Sequence, residues 1–249
     1  MERICSGGLV YDCFSSFSQV PWLFHGCFTR KGGVSEGPYE GLNTGLNTGD
    51  SAQAVSVNRK AILDESGGGE LVVLSQVHGK GVHVHTGTGV DSVEADALVT
   101  DRPGAMLTIL TADCQAVVLV DPVKRVVANA HAGWRGSVEG VLPETVSVME
   151  NRFGCCPSDL LAGIGPSLGP CCAEFVHYKK ELPRSFCTHR VGFNHFDFWA
   201  ISRDQLCNTG LKAKNITAAQ VCTQCDDEHY FSYRRSHTTG RMATVIGIK

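Results

Sequence analysis

The sequence lacks an apolar run long enough to cross a bilayer. Its longest apolar region, Ala105 to Val120, is interrupted by Asp113 and Gln115 and falls short of the roughly 20 residues a spanning helix needs, so no membrane partner is expected. A dominant charge is missing as well. With 22 lysines and arginines against 25 aspartates and glutamates, the formal charge is −3, and both signs are interspersed. No basic face advertises nucleic acid, and a small-molecule ligand fits better. Met1 to Gly7 shows no positive stretch followed by an apolar one, so no secretory leader is expected. The twelve cysteines are therefore read as reduced thiols of a cytoplasmic protein rather than as a disulfide framework. Nor is there a linker that splits the chain. A hydrophobic content of 43% supports one domain over residues 1–249, and a monomer is expected.

What is present is a series of short β-branched runs, several of which end in polar residues. Leu71 to Leu74 runs into Gln76-Val77-His78-Gly79, Ala105 to Leu110 into Thr111-Ala112-Asp113-Cys114, and Val126 to Ala130 into His131-Ala132-Gly133-Trp134-Arg135-Gly136. His78, Cys114 and His131 thus fall where strands give out. Two imidazoles and a thiolate suit zinc, and three protein ligands leave a fourth position open for water or substrate. The spacing is long, unlike that of zinc fingers, and does not itself establish that the three converge.

Further strands are expected at Val20 to Phe28, Gly81 to His85, Ala97 to Thr100, Ala116 to Val120, Leu160 to Pro166 and Met242 to Ile248. Helices are expected from an Asp50 N-cap to about Glu65, from Val138 to Arg152, and from Asp197 to about Leu206. Strands at both ends with few helices between them suggest one mixed α and β domain. The Gly-rich loop Thr29 to Tyr39 could let backbone amides approach an anion held by Arg30. Arg135, near the start of the second helix, is the other candidate anion holder.

Other motifs carry blander readings. His83 and His85 share a strand face and read as a solvated face, because copper chemistry of the multicopper kind needs several such pairs. Cys222-Thr223-Gln224-Cys225 has metal-knuckle spacing, but no second pair of that kind completes it. Cys171 and Cys172, being adjacent, point poorly for joint chelation. All four, with Cys155 and Cys156, read as buried or free thiols.

The three central motifs, together with Gly163-Ile164-Gly165-Pro166, Asp197 with Trp199, Phe231-Ser232-Tyr233-Arg234-Arg235 and Thr239-Gly240-Arg241-Met242, resemble the bacterial YfiH family, also called the polyphenol oxidase or laccase-domain family. The likeness runs from about His25 to the C-terminus and includes His25-Gly26-Cys27-Phe28-Thr29-Arg30-Lys31-Gly32-Gly33. Cys27 and Ala173 depart from it, each standing where an aromatic is common. The resemblance implies an α+β fold, a mixed β-sandwich flanked by helices, of a type similar to a class of cysteine hydrolases. It also implies a zinc enzyme acting on purine nucleosides and phosphate: phosphorolysis of adenosine, inosine or methylthioadenosine, and deamination of adenosine. The zinc ligands it implies are His78, Cys114 and His131.

Within that frame, Arg30 and Arg135 are the cations expected at phosphate, with Arg234, Arg235 and Arg241 as lesser candidates. Asp113 is the candidate proton donor to a leaving amine, although next to Cys114 in an extended strand it would point to the other face. Three alternatives stand beside this reading: a cysteine hydrolase with Cys114 as nucleophile and His131 or His78 as base, for example on peptidoglycan-derived amides; a polyphenol oxidase, as the family name suggests; and a non-enzymatic metal or nucleoside sensor.

Overall fold

The structure, a computed structural model, describes residues 1–87 and 93–249. Two six-stranded sheets form its centre. One runs, edge to edge, Glu2–Ser6, Leu9–Cys13, Leu23–Phe28, Met242–Ile248, Ala105–Thr111, Glu70–Val73. The other runs Ile216–Ala218, Leu161–Ile164, Gln115–Asp121, Val126–Ala132, Ala97–Thr100, Val82–Val84. Both are mixed: Glu70–Val73, Val82–Val84 and Ile216–Ala218 each pair in parallel with their neighbour, and the remaining pairings are antiparallel.

Period-two alternation decides what each strand face meets. In Gln115–Asp121, Val118 and Val120 turn inward to Leu107 and Ile246 of the other sheet. Val117 and Leu119 turn outward to Val146 and Met149 of the helix Val141–Phe153. On the opposite side, Met106 and Val245 cover Ile62 of the helix Ala52–Ser66. The layers are therefore helix, sheet, sheet, helix, an α+β sandwich. Burial on both faces explains why the strands are unbroken apolar strings rather than alternating ones. Asn129 fastens the sheets together, its amide donating to the carbonyls of Leu107 at 3.0 Å and Thr244 at 2.8 Å.

Most expected elements are present within a residue or two, three expectations need correcting, and one hairpin was not expected. The first helix is capped by Ser51, whose hydroxyl accepts from the Ala54 amide; Asp50 instead accepts from Asn43 and from the Ser51 amide. The helix expected over Val138 to Arg152 is two helices, Trp134–Glu139 and Val141–Phe153, because Gly140 adopts a φ of +85° and breaks the run. His85 is not on a solvated face: it is 2% exposed, with Nε2 3.1 Å from Glu70 Oε1. The hairpin Glu2–Ser6 and Leu9–Cys13 at the sheet edge lies outside the strands the sequence suggested. No helix among the described residues is long and apolar enough to cross a membrane.

Candidate metal centre and substrate cavity

His78 is delivered by a loop that the sheet holds firmly. The Gln76 side chain behaves like one more strand residue, donating to the Leu110 carbonyl at 2.9 Å and accepting the Leu110 amide at 2.8 Å. Two residues on, His78 takes a φ of +63°, a left-handed conformation that costs a non-glycine residue energy and is kept only where its surroundings fix it. Asp96 does the fixing: its carboxylate accepts the amides of His78 at 2.9 Å and Gly79 at 2.7 Å.

The same carboxylate orients the second imidazole. His131 lies at the end of the strand Val126–Ala132, with Nδ1 2.8 Å from Asp96 Oδ1. That contact commits Nδ1 and leaves Nε2 for a ligand. Cys114 directly precedes the neighbouring strand Gln115–Asp121, after Asp113 reverses the chain with a φ of +91°. Ligand atoms of His78, Cys114 and His131 all lie within 4.8 Å of one another, and the two imidazoles meet edge to face with centroids 4.8 Å apart. The three strand-end residues converge. Gly133 completes the packing, since a Cβ there would stand 3.1 Å from Cys114 Sγ and 3.2 Å from His78 Cδ2.

Electrostatics favour a thiolate. Burial pushes the Cys114 thiol up, but the positive charge and hydrogen bonds of His131, then His78, outweigh it and bring the thiol down to about 6. Burial likewise disfavours the charged form of His131, which Cys114 and Asp96 together reverse, so its pKa is raised. Two nitrogens and one sulfur, one His anchored by a carboxylate and the other exposed, fit a three-ligand metal with an open position. The same donors suit a single copper, but multicopper chemistry needs further histidine sets. Among the described residues the second cluster able to hold a metal consists of cysteines alone.

His78 and Cys114 border a cavity of about 340 Å³ whose walls include Trp134, Phe175, Phe198, Tyr233 and the arginines Arg135 and Arg234, while His131 is buried behind them. Arg135 stacks on Trp134, its guanidinium 4.4 Å from the ring centre, and is exposed at the rim. Asp113 also lines the cavity. It lies in a turn rather than an extended strand, so it does not face away from Cys114's side as expected. Its oxygens accept the Thr223 hydroxyl at 2.7 Å and the Arg234 amide at 2.6 Å.

Arg30 lies elsewhere. It borders a separate cavity with the Gly-rich loop, donates to the carbonyls of Glu40 and Asp227, and stacks on Phe231 at 4.7 Å. The structure does not bring it to the metal trio. Arg235 is spent on the carbonyls of Thr223, Gln224 and Tyr230, and Arg241 on those of Thr239 and Gly240. Of the lesser candidates, Arg234 reaches the cavity. Sequence reasoning missed Asp96 and the aromatic walls. The one available signal for Asp96 was a carboxylate directly before the apolar run Ala97 to Thr100.

The family model described as multi-copper polyphenol oxidoreductase laccase matches residues 24–249. The chain is 38% identical over 230 residues to purine nucleoside phosphorylase YfiH of Escherichia coli, covering 88% of this chain and 90% of that one. It is 32% identical over 243 residues to purine nucleoside phosphorylase YlmD of Geobacillus stearothermophilus, covering 89% of each. Among solved structures it is similar to hypothetical protein YfiH of Bacillus licheniformis, with a TM-score of 0.89, 30% identity and 99% of both chains covered.

Proposed function

The chain belongs to the YfiH family, and from that membership we propose that it is a purine nucleoside phosphorylase with zinc held by His78, Cys114 and His131. One observation carries the reading: three side chains able to hold a metal converge, and two of them, His78 and Cys114, line a cavity that offers both aromatic walls and arginines. A flat, polarisable base suits Trp134, Phe175 and Phe198, while a phosphate dianion suits guanidinium groups.

In phosphorolysis a phosphate oxygen attacks C1′ of the ribose, the bond from C1′ to the base breaks, and its electron pair leaves with the purine, which then takes up a proton. Arg135 binds and orients the phosphate, and Arg234, which lines the same cavity while its Nη1 donates to the carbonyls of Cys172 and Glu174, assists. Asp113, held by Thr223 and Arg234, is fixed where it can handle the proton. Zinc, when bound, supplies Lewis acidity at this edge of the cavity. The same cavity admits adenosine, inosine and methylthioadenosine as substrates, and with water in place of phosphate it deaminates adenosine to inosine, releasing ammonia. The reading makes the protein a one-domain cytoplasmic monomer without nucleic-acid or membrane partners.

The test is chromatography of adenosine incubated with metal-replete protein, with and without phosphate. Adenine or hypoxanthine appearing only with phosphate reports phosphorolysis, and inosine without phosphate reports deamination. Purine nucleosides left untouched in both arms would sink the reading.

A second reading has its own observation. Cys114, His131 and Asp96 form a thiol, imidazole, carboxylate series with the thiol lowered to about 6, the arrangement of a cysteine hydrolase. Such an enzyme would be alkylated at Cys114 as readily with zinc present as without it, whereas a zinc ligand is protected.

A further inference from the structure

Outside the cavity wall the chain gathers four more thiols. Ser167 and Cys222 form a parallel bridge, with Ser167 N donating to Val221 O and Thr223 N to Ser167 O, each at 3.1 Å. This lays the Cys-x-x-Cys segment alongside the next turn. There the amides of Cys172 and Ala173 both donate to the Gly169 carbonyl at 2.9 Å, a tight turn that brings the adjacent Cys171 and Cys172 against Cys225. The four sulfurs of Cys171, Cys172, Cys222 and Cys225 lie within 4.8 Å of one another, with Cys225 Sγ 3.6 Å from Cys171 Sγ and 3.5 Å from Cys172 Sγ. The four are free thiols, as expected, but a long-range bridge supplies the partner pair that sequence spacing did not show.

We propose that these four cysteines bind one zinc ion in a closed, structural tetrathiolate site. The sulfur separations are far beyond the roughly 2.05 Å of a disulfide. They lie close to the roughly 3.8 Å edge of a tetrahedron whose zinc–sulfur bonds are about 2.3 Å. Four thiolates leave no open position, which is the mark of a structural rather than a catalytic zinc. An iron–sulfur cluster, whose cysteines bind separate irons, needs a wider cage. The surroundings suit a negatively charged centre: the amides of Gly169 and Cys225 approach the Cys222 sulfur, and Arg235 Nη1 donates to the carbonyls of Thr223 and Gln224 between the two knuckle cysteines. Gly169 closes one side, since a Cβ there would stand 3.0 Å from Cys222 Cβ and 3.3 Å from Cys171 Sγ. Binding releases the thiol protons to solvent.

The site has a mechanical consequence. Thr223, inside the knuckle, donates to Asp113, and the Cys172 carbonyl accepts from Arg234. The ion would therefore staple together the two segments that hold one wall of the substrate cavity.

The protein with Cys114→Ala, which removes the thiolate of the other centre, isolates this one. Metal analysis and X-ray absorption at the zinc edge should then find one zinc per chain with a shell of four sulfurs, and adding Cys225→Ser should abolish it. Should Cys225→Ser fail to fold, the absorption spectrum of the Cys114→Ala protein decides alone. A zinc-free Cys114→Ala protein with all four thiols open to alkylation, iron in place of zinc, or an oxidised pair by mass would each overturn the proposal. Its failure is separable from that of the catalytic reading, which the nucleoside assay on the unaltered chain decides.

Discussion

Asp96 Oδ1 sits 2.8 Å from His131 Nδ1, and the same fully buried carboxylate holds the backbone of His78 through two amides. One side chain thus sets the aim of one imidazole and the loop conformation of the other. In Asp96→Asn, an amide N–H replaces one acceptor and faces either the His131 ring N–H or a backbone N–H. Zinc affinity should fall about 10- to 100-fold, as read by competition with a chromophoric chelator, while far-ultraviolet circular dichroism stays unchanged. Unaltered affinity would mean that the imidazoles are aimed without it.

The two arginines that the sequence paired as phosphate holders separate in the structure, and they should separate in kinetics. Arg135→Ala removes a charged donor from the cavity rim. A loss of about 1.5–3 kcal/mol, typical of a hydrogen bond to a charged group, would lower kcat/KM for phosphate roughly 10- to 150-fold. Arg30→Ala removes two carbonyl contacts and a cation–π stack on Phe231. Its effect should appear as about 1–2 kcal/mol of stability in denaturant titration, with phosphate KM unchanged. A raised phosphate KM in Arg30→Ala would restore it to the site.

Gly133 supplies a third test. A methyl group there would press on both Cys114 Sγ and His78 Cδ2, at distances that force one or both ligands to shift by a few tenths of an ångström. The backbone at this position is extended, with φ −71° and ψ 168°, so alanine brings no backbone strain. Gly133→Ala should therefore lower zinc affinity and activity together while leaving the thermal midpoint of the metal-free protein near that of the parent. A large fall in that midpoint would show that the substitution disturbs the fold rather than the ligands.

The sandwich was legible because its strands are apolar on both faces: Ala97–Thr100 and Met242–Ile248 were readable to the residue. His78, Cys114 and His131 were legible as polar residues at the ends of such runs. Their convergence was not, because it depends on Gln76 docking on Leu110 and on Asp96 spanning two segments, neither of which leaves a periodic trace. The cysteine cluster was missed for the same reason. A pairing between Ser167 and Cys222 joins segments 55 residues apart, and spacing within either segment says nothing of it. Arg30 looked like an anion holder because glycines and an arginine are what such a loop contains. In the structure Gly32, at a φ of +83°, packs against the Gly8 carbonyl, and Gly33, at a φ of +78°, against the Gly41 carbonyl, so this glycine pair serves close backbone packing.

His25 provides a pH test remote from the metal centre. Its ring is largely buried beside Phe14 and Phe17, and Nε2 accepts the Phe14 amide at 2.8 Å. Burial lowers its pKa from 6.5 to about 4, and an Nε2 already accepting a proton donor has no room for a second proton. The unfolded chain protonates His25 below about pH 6.5, but the folded chain does so only near pH 4. Across that window the unfolded state binds more protons, so stability falls as the pH falls, by up to roughly 3 kcal/mol when the window is fully crossed. His25→Gln keeps an acceptor for the Phe14 amide but cannot titrate. Urea midpoints of the two proteins between pH 4 and 7 should converge on acidification, the parent losing more stability than the variant, while carboxylates common to both cancel in the difference. Parallel curves across that range would show that His25 protonates in the folded state as readily as in the unfolded chain.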